Sequence, residues 1–325
     1  MNLTSVKTIK ELLLKYDAQP SKIMGQNFLV NRQVLEKIVK TANLKKEDTV
    51  LEVGPGIGTL TQELAKNVNR VIAVEKDKKM CQILKEILGY KSGRNRTIVP
   101  FLPLFNKVEI INDDILKIEN FKLISNFKFQ ISNYKIVANI PYYLTSPLIR
   151  KFLENPPNQN QPEDIILMVQ KEVAQRICSR PPSPPTNFDP KNNLPIKGKS
   201  MSKLVGGKMS LLAVSVQFYA KAEIISYIKK ENFWPKPKVD SAIIRITPYK
   251  NSPLVPAKLF FKIVKAGFSQ PRKQLVNNLN GLKLLNDVKL TKLQITSWLL
   301  ENNLKPEQRA ETLSINDWIQ LVSSL

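Results

Sequence analysis

Asn139-Ile140-Pro141-Tyr142 places an amide, a carbonyl made rigid by the following proline and an aromatic face side by side. The tetrapeptide comes directly after Lys135-Ile136-Val137-Ala138, an apolar run that predicts a buried strand. Such groups could hold a flat, amino-bearing base at a strand end. A strand that closes in a plain proline turn has the same pattern, so the tetrapeptide alone leaves both readings open.

A second cluster, Glu52-Val53-Gly54-Pro55-Gly56-Ile57-Gly58, separates a predicted strand from a predicted helix. Alternating glycines let the backbone pass close to a ligand, and the helix start offers unpaired N–H groups. Glu75 follows Gly54 by 21 residues and ends the next strand, where a carboxylate can accept from both hydroxyls of a ribose. The spacing is not the Gly-x-Gly-x-x-Gly of pyrophosphate binders, and the Lys-Ser/Thr of a P-loop is missing. A nucleoside without phosphates is therefore the expected ligand, S-adenosylmethionine being the common one. Asp113 and Asp114 follow the third strand, within reach of an adenine amino group. Asp114 is favoured for that contact, with its neighbour as a solvated turn residue.

Fifty Lys and Arg against 27 Asp and Glu leave a net charge of +23, a field that concentrates polyanions. Charge alone does not say which nucleic acid, and a generally basic proteome would give the same excess. The chain contains no histidine, which removes imidazole general bases and Ser-His-Asp triads. Cys81 and Cys178 lack both the number for a disulfide scaffold and metal-ligand spacing, so no metal is expected. No apolar run approaches the roughly 18–20 residues of a membrane span. The segment from Met1 to Lys15 contains Glu11 and no small-residue cleavage site. A soluble, cytoplasmic chain is the expectation.

These groups need a scaffold. Helical spacing over 33–43, 59–67 and 78–88 alternates with strand-like runs at 50–53, 70–75, 108–111, 135–140 and 164–169. The alternation predicts an α/β fold with a doubly wound parallel sheet. Val214–Ala220 and Ser241–Thr247 read as a further hairpin at one sheet edge. Residues 89–106 predict an exposed excursion, and the proline-rich, basic stretch 178–208 a mobile loop. Beyond Pro256 the periodicity is helical, over 257–268, 272–282, 290–302 and 315–325. The expected division is 1–250 and 251–325, the second part a small all-α domain.

Taken together, Lys22-Ile23-Met24-Gly25-Gln26-Asn27-Phe28-Leu29, Glu52 to Thr61 and Asn139 to Tyr142 resemble the ribosomal RNA adenine dimethyltransferases, most nearly their bacterial small-subunit members. Gln170 to Arg176, Phe233 to Ser241 and Arg309-Ala310-Glu311-Thr312-Leu313 extend the likeness from about residue 20 to the C-terminus. The resemblance implies a Rossmann-like S-adenosylmethionine-dependent methyltransferase domain followed by a helical domain. It implies dimethylation at N6 of two adjacent adenosines in a hairpin loop near the 3′ end of small-subunit rRNA, within the pre-30S particle and by a monomer. By motif position, Asn27, Leu29, Gly54, Gly56, Glu75, Asp114 and Asn139 would contact the cofactor, with Gln26 nearby. The chain departs from the family with Asp113 where glycine is usual, Met209-Ser210 in place of Tyr-Gly, and Pro271 where a basic residue is expected. A large-subunit adenine methyltransferase of the macrolide-resistance type, or a non-catalytic assembly or transcription factor, would share the core. The Arg309–Leu313 segment speaks against the former, and the intact glycine and Asn139–Tyr142 motifs against the latter.

At the target base, Asn139 and the Ile140 carbonyl would accept from N6–H and favour a pyramidal nitrogen. Pro141 would fix the direction of that carbonyl, Tyr142 would stack on the base, and Phe233 would form a second wall. Core packing is the alternative for Phe233. Lys262, Lys265, Arg272, Lys273 and Lys283 would meet RNA phosphates, which position without specifying. A solvated helix face is the alternative for each.

Overall fold

The computed structural model describes residues 1–89, 105–118, 134–154, 161–181, 207–251, 255–283 and 289–325. The chain divides into two compact units, one of 1–174 with 220–250 and one of 175–219 with 251–325. The expected first domain over 1–250 is thus interrupted, because the 175–219 segment clusters with the C-terminal helices.

The first unit is built on a seven-stranded sheet. Its strands are β2 (Thr49–Val53), β3 (Arg70–Glu75), β4 (Val108–Asn112), β5 (Tyr134–Asn139), β6 (Asp164–Gln170), β7 (Ala220–Ile228) and β9 (Ser241–Pro248), in the order β4-β3-β2-β5-β6-β9-β7. Pairing is parallel from β4 through β6, and β9 runs antiparallel to both β6 and β7. The inner strands are buried on both faces, as parallel strands covered by helices are. A separate two-stranded pair joins β1 (Phe28–Leu29) to β8 (Phe233–Trp234).

Helices α2 (Arg32–Ala42), α3 (Thr59–Asn67) and α4 (Lys78–Ile87) each put an apolar stripe into this core. Asn31 and Asp77 cap α2 and α4 by accepting backbone N–H groups. The N-terminal helix α1 (Val6–Lys15) buries Ile9, Leu12 and Leu13 in a cluster with Ile57, Met80 and Ile83. In this way it packs beside the glycine-rich turn. Buried Lys135 on β5 bonds Asp48 Oδ2 at 2.7 Å and the Asn43 carbonyl at 2.9 Å, and half-buried Arg245 on β9 holds the buried Asp164 through two nitrogens.

α5 (Thr145–Leu153) follows β5, and α6 (Lys171–Ile177) follows β6. In the second unit, α7 (Leu211–Tyr219), α8 (Ala257–Gly267), α9 (Leu275–Leu279), α10 (Lys292–Glu301) and α11 (Ile315–Ser323) share a core of Phe218, Phe260, Ile263, Leu279, Leu299 and Trp318. Here two expectations fail. Val214–Ala220, read as a strand, lies mainly in α7, and the edge strand paired with β9 is Ala220–Ile228 instead. Ser210 Oγ accepts the Ala213 N–H and starts that helix, and Ala213, Val214 and Phe218 are buried in the helical core. Tertiary burial thereby overrides the strand preference of an apolar, β-branched run. The helix expected over 272–282 is confined to Leu275–Leu279. The excursion expected over 89–106 and the loop expected over 178–208 lie mostly outside the described residues. Among the described residues no helix is long and apolar enough to cross a membrane.

Candidate active site

Strand order places the site. β2 and β5 are neighbours although β3 and β4 intervene in sequence, so the order reverses between them. Ligands of open α/β sheets bind at such a switch point, beyond the carboxyl ends of the strands. Those ends deliver Gly54 from β2, Glu75 from β3, Asp113 and Asp114 from β4, and Asn139 from β5. All of them line one cavity of about 240 Å³, together with Met24 to Leu29, Ile140 to Leu144 and Phe233.

The glycine turn has left-handed backbone at three positions. At Gly54 (φ +67°) a Cβ would lie 3.5 Å from Pro141 Cδ, so the turn and the Asn139–Tyr142 segment are in van der Waals contact. At Gly58 (φ +87°) a Cβ would come within 2.5 Å of Leu84 Cδ1. The third glycine therefore serves the close approach of α3 to α4 rather than a ligand. No side chain caps α3.

Glu75 is buried and its two oxygens are held apart by backbone donors. Oε2 accepts the Gly56 N–H at 3.0 Å and Oε1 the Asp77 N–H at 2.8 Å. Burial raises its pKa, and the two N–H groups oppose that rise. Each oxygen keeps acceptor capacity, which suits vicinal hydroxyls. Asp114 accepts Lys76 Nζ at 3.0 Å and the Leu116 N–H at 3.0 Å. Burial acts upward on its pKa, but Lys76 and the Leu116 N–H outweigh it and leave the carboxyl below its ordinary value. Asp113 is exposed; its Oδ1 accepts the Asp114 N–H at 2.6 Å. The non-glycine at 113 thus makes a local turn bond, and both aspartates reach the cavity.

Asn139 donates through Nδ2 to the Asn27 carbonyl at 3.4 Å, leaving Oδ1 to accept. Ile140 is buried. Tyr142 starts a 3-10 turn in which the Leu144 N–H donates to the Pro141 carbonyl at 2.9 Å. Its hydroxyl bonds Ser241 Oγ at 2.9 Å. Burial raises the Tyr142 pKa, with the Ser241 bond opposing. Leu29 is buried opposite Phe233 in the β1–β8 pair. Phe233 lines the cavity but is 4% exposed and belongs to the main core cluster, so its ring serves packing as well.

Gln26 lines the cavity and is also a brace, accepting from the Ser21 N–H at 2.8 Å and donating to Asp77 Oδ2 at 3.0 Å. Sequence reasoning misses that role and the cavity positions of Met24, Lys76, Leu116 and Tyr143. Lys76 could be suspected from its place directly after Glu75; the others carry no local signal. Glu52, in sequence only the first residue of the glycine motif, also gains a distinct character. It is buried, its Oε2 and the nearby Thr61 Oγ1 find no hydrogen-bond partner among the described residues, and burial pushes its carboxyl up to about 8. In the second unit, Lys262, Lys265, Arg272, Lys273 and Lys283 are all exposed. Within Arg309–Leu313, Ala310–Thr312 forms a 3-10 turn, in which the Glu311 carboxylate pairs with Lys208 at 2.7 Å and its carbonyl accepts the Met209 N–H at 2.8 Å.

A glycine turn, a ribose-type carboxylate and a polar-aromatic strand end, all at the switch point of this sheet, define a Rossmann-like methyltransferase. The sequence matches the family described as ribosomal RNA adenine dimethylase over residues 19–185 and 196–321. The chain belongs to that family. It is 35% identical to a protein of Alkaliphilus oremlandii named ribosomal RNA small subunit methyltransferase A, over 99% of this chain and 98% of that one. Among solved structures, a dimethyladenosine transferase from Plasmodium falciparum matches with a TM-score of 0.62 and 25% identity, over 91% of this chain and 96% of the other. The 23S rRNA methyltransferase ErmE matches with the same TM-score at 23% identity, over 92% and 99%, a likeness of fold alone.

Proposed function

We propose that the protein dimethylates N6 of two adjacent adenosines in the 3′-terminal hairpin loop of small-subunit rRNA, with S-adenosylmethionine as methyl donor. The observation that carries the reading is the meeting of Asn139–Tyr142 with Gly54, Glu75 and Asp114 around a single cavity. The residues present fit the donor. Glu75 offers two oriented acceptors for ribose hydroxyls, Gly54 and Gly56 form a cradle that side chains would fill, and Asp114 can accept from an adenine amino group. We assign Asn27, Leu29 and Asn139 to the remaining wall.

When bound, S-adenosylmethionine supplies a methyl group already activated on a sulfonium. The protein's task is to expose and align N6, whose lone pair is delocalised into the adenine ring. Asn139 Oδ1 and the Ile140 carbonyl accept from the two N6–H groups and draw the nitrogen toward a pyramidal form. Pro141 fixes the peptide that presents this carbonyl. Tyr142, tethered through Ser241, presents its ring to a base lifted from the RNA loop, and Phe233 backs the pocket. No side-chain base is needed, because the proton can leave after the nitrogen is alkylated.

We further propose that the protein acts as a cytoplasmic monomer on the pre-30S particle, with Lys262, Lys265, Arg272 and Lys273 contacting RNA phosphates. The test offers labelled S-adenosylmethionine with unmethylated small subunits, large subunits or DNA, and maps the modified base. Label on adjacent small-subunit adenosines is expected. Label on the large subunit, or none with tight RNA binding, would overturn the reading in favour of a macrolide-resistance type or a non-catalytic factor.

A further inference from the structure

Residues 21–26 form a braced turn against the base clamp. The Met24 N–H donates to Ser21 Oγ at 3.1 Å, and the Gln26 N–H donates to the Ser21 carbonyl at 3.0 Å. Gln26 also accepts from the Ser21 N–H and donates to Asp77, which ties the turn to the end of β3. Gly25 turns at φ +60°, with its Cβ position 3.7 Å from Pro141 Cβ. Held this way, the turn projects Ile23 into solvent with 94% of its surface exposed.

One exposed isoleucine would need no explanation. Its sequence neighbour Met24 lines the cavity, as do Leu116 and Tyr143, of which Leu116 is 40% and Tyr143 55% exposed. Tyr142 is tethered to Ser241 and half-buried, whereas Tyr143 beside it is exposed at the cavity lining. Exposed Lys22, Lys76 and Lys117 flank these apolar groups. A folded protein gains nothing from an apolar rim among cations around a site mouth. A single RNA strand complements it, since its bases have apolar faces and its phosphates are anionic. Lifting one base out of a stack leaves a gap that an apolar wedge can fill.

We propose that Ile23 is the wedge that occupies the place vacated by the target adenosine, and that Tyr143 is the platform on which the neighbouring base stacks. This rests on the reading above that the substrate is an RNA adenosine. Ile23 and Tyr143 are positioning residues: they bear on the exposure of N6, not on the methyl transfer itself.

The test follows base extrusion directly. A hairpin RNA carrying 2-aminopurine at the target position brightens when that base leaves its stack. The full-length protein is expected to brighten it, and Ile23→Ser to lose most of the gain. RNA affinity should stay within about threefold, because phosphates supply most of it. On unmethylated small subunits, Ile23→Ser should lower kcat about tenfold with little change in KM, the signature of an interaction outside ground-state binding. Ile23→Met should restore both readouts, and Tyr143→Phe should behave as the parent while Tyr143→Ala does not. Brightening and kcat unchanged in both Ile23→Ser and Tyr143→Ala would overturn the proposal, as would a parent protein that methylates small subunits without brightening the hairpin. A rim that instead binds a protein partner would give that same pair of unchanged results. A parent protein that methylates no RNA would sink the substrate reading itself, an outcome distinct from these.

Discussion

At the scale of single residues, Asn139 joins the two halves of the site, because it borders the cavity and bonds the Asn27 carbonyl that closes it. Asn139→Ala should lower kcat by on the order of 10²–10³, the usual cost of losing one oriented polar group at a reacting centre. Cofactor affinity, measured by calorimetry, should weaken less. Tyr142→Phe removes the bond to Ser241 but keeps the ring, so a stability loss of about 1 kcal/mol and modest loss of rate are expected. Tyr142→Ala should damage rate further. Glu52 gives a pH prediction. Burial first, and the charge of Glu75 after it, hold its carboxyl near 8 against an ordinary 4.5. A raised acid contributes its full stability below the unfolded pKa and loses it as pH rises through the folded one. Wild-type stability should therefore fall between about pH 5 and 8 relative to Glu52→Gln, by a few kcal/mol. Urea midpoints of the two proteins at both ends of that window check it; parallel curves would refute it.

At the scale of elements, tight approaches set the site. Gly58→Ala meets both a left-handed backbone and Leu84 at 2.5 Å, so a loss of about 1–3 kcal/mol is expected. Thermal unfolding would show it as a lowered Tm. The Lys135–Asp48 pair, nearly buried at both ends, ties β5 to the segment that enters β2. Lys135→Ala should cost roughly 3–5 kcal/mol by stranding Asp48, whereas Lys135→Met with Asp48→Leu should recover most of it. Strand periods and helix stripes made most of these elements legible in the sequence. The exceptions are two. Val214–Ala220 has strand-like residues but is helical because its apolar groups enter the core of the second unit, and 272–282 is cut to five helical residues. Periodicity reports which residues seek burial, not which partner will bury them.

At the scale of the whole molecule, the +23 charge makes RNA affinity depend on salt. Replacing Lys262, Lys265, Arg272 and Lys273 together by alanine should flatten the slope of log K against log salt by about 3–4, roughly one for each phosphate no longer neutralised. Filter binding at several salt concentrations measures this. An unchanged slope would return these residues to an ordinary solvated face.

The sequence by itself determined the class of fold, the strand-end placement of Gly54, Glu75, Asp114 and Asn139, and the attraction to polyanions, because these follow from local spacing and summed charge. Tertiary structure alone decided the rest. It made Gln26 a brace, turned Gly58 to packing, gave Phe233 a share in the core and Glu52 a buried proton, and gathered Met24, Leu116 and Tyr143 at the mouth of one cavity. Those roles depend on which residues distant in sequence come within a few ångströms of each other. Only strand order and packing fix such distances.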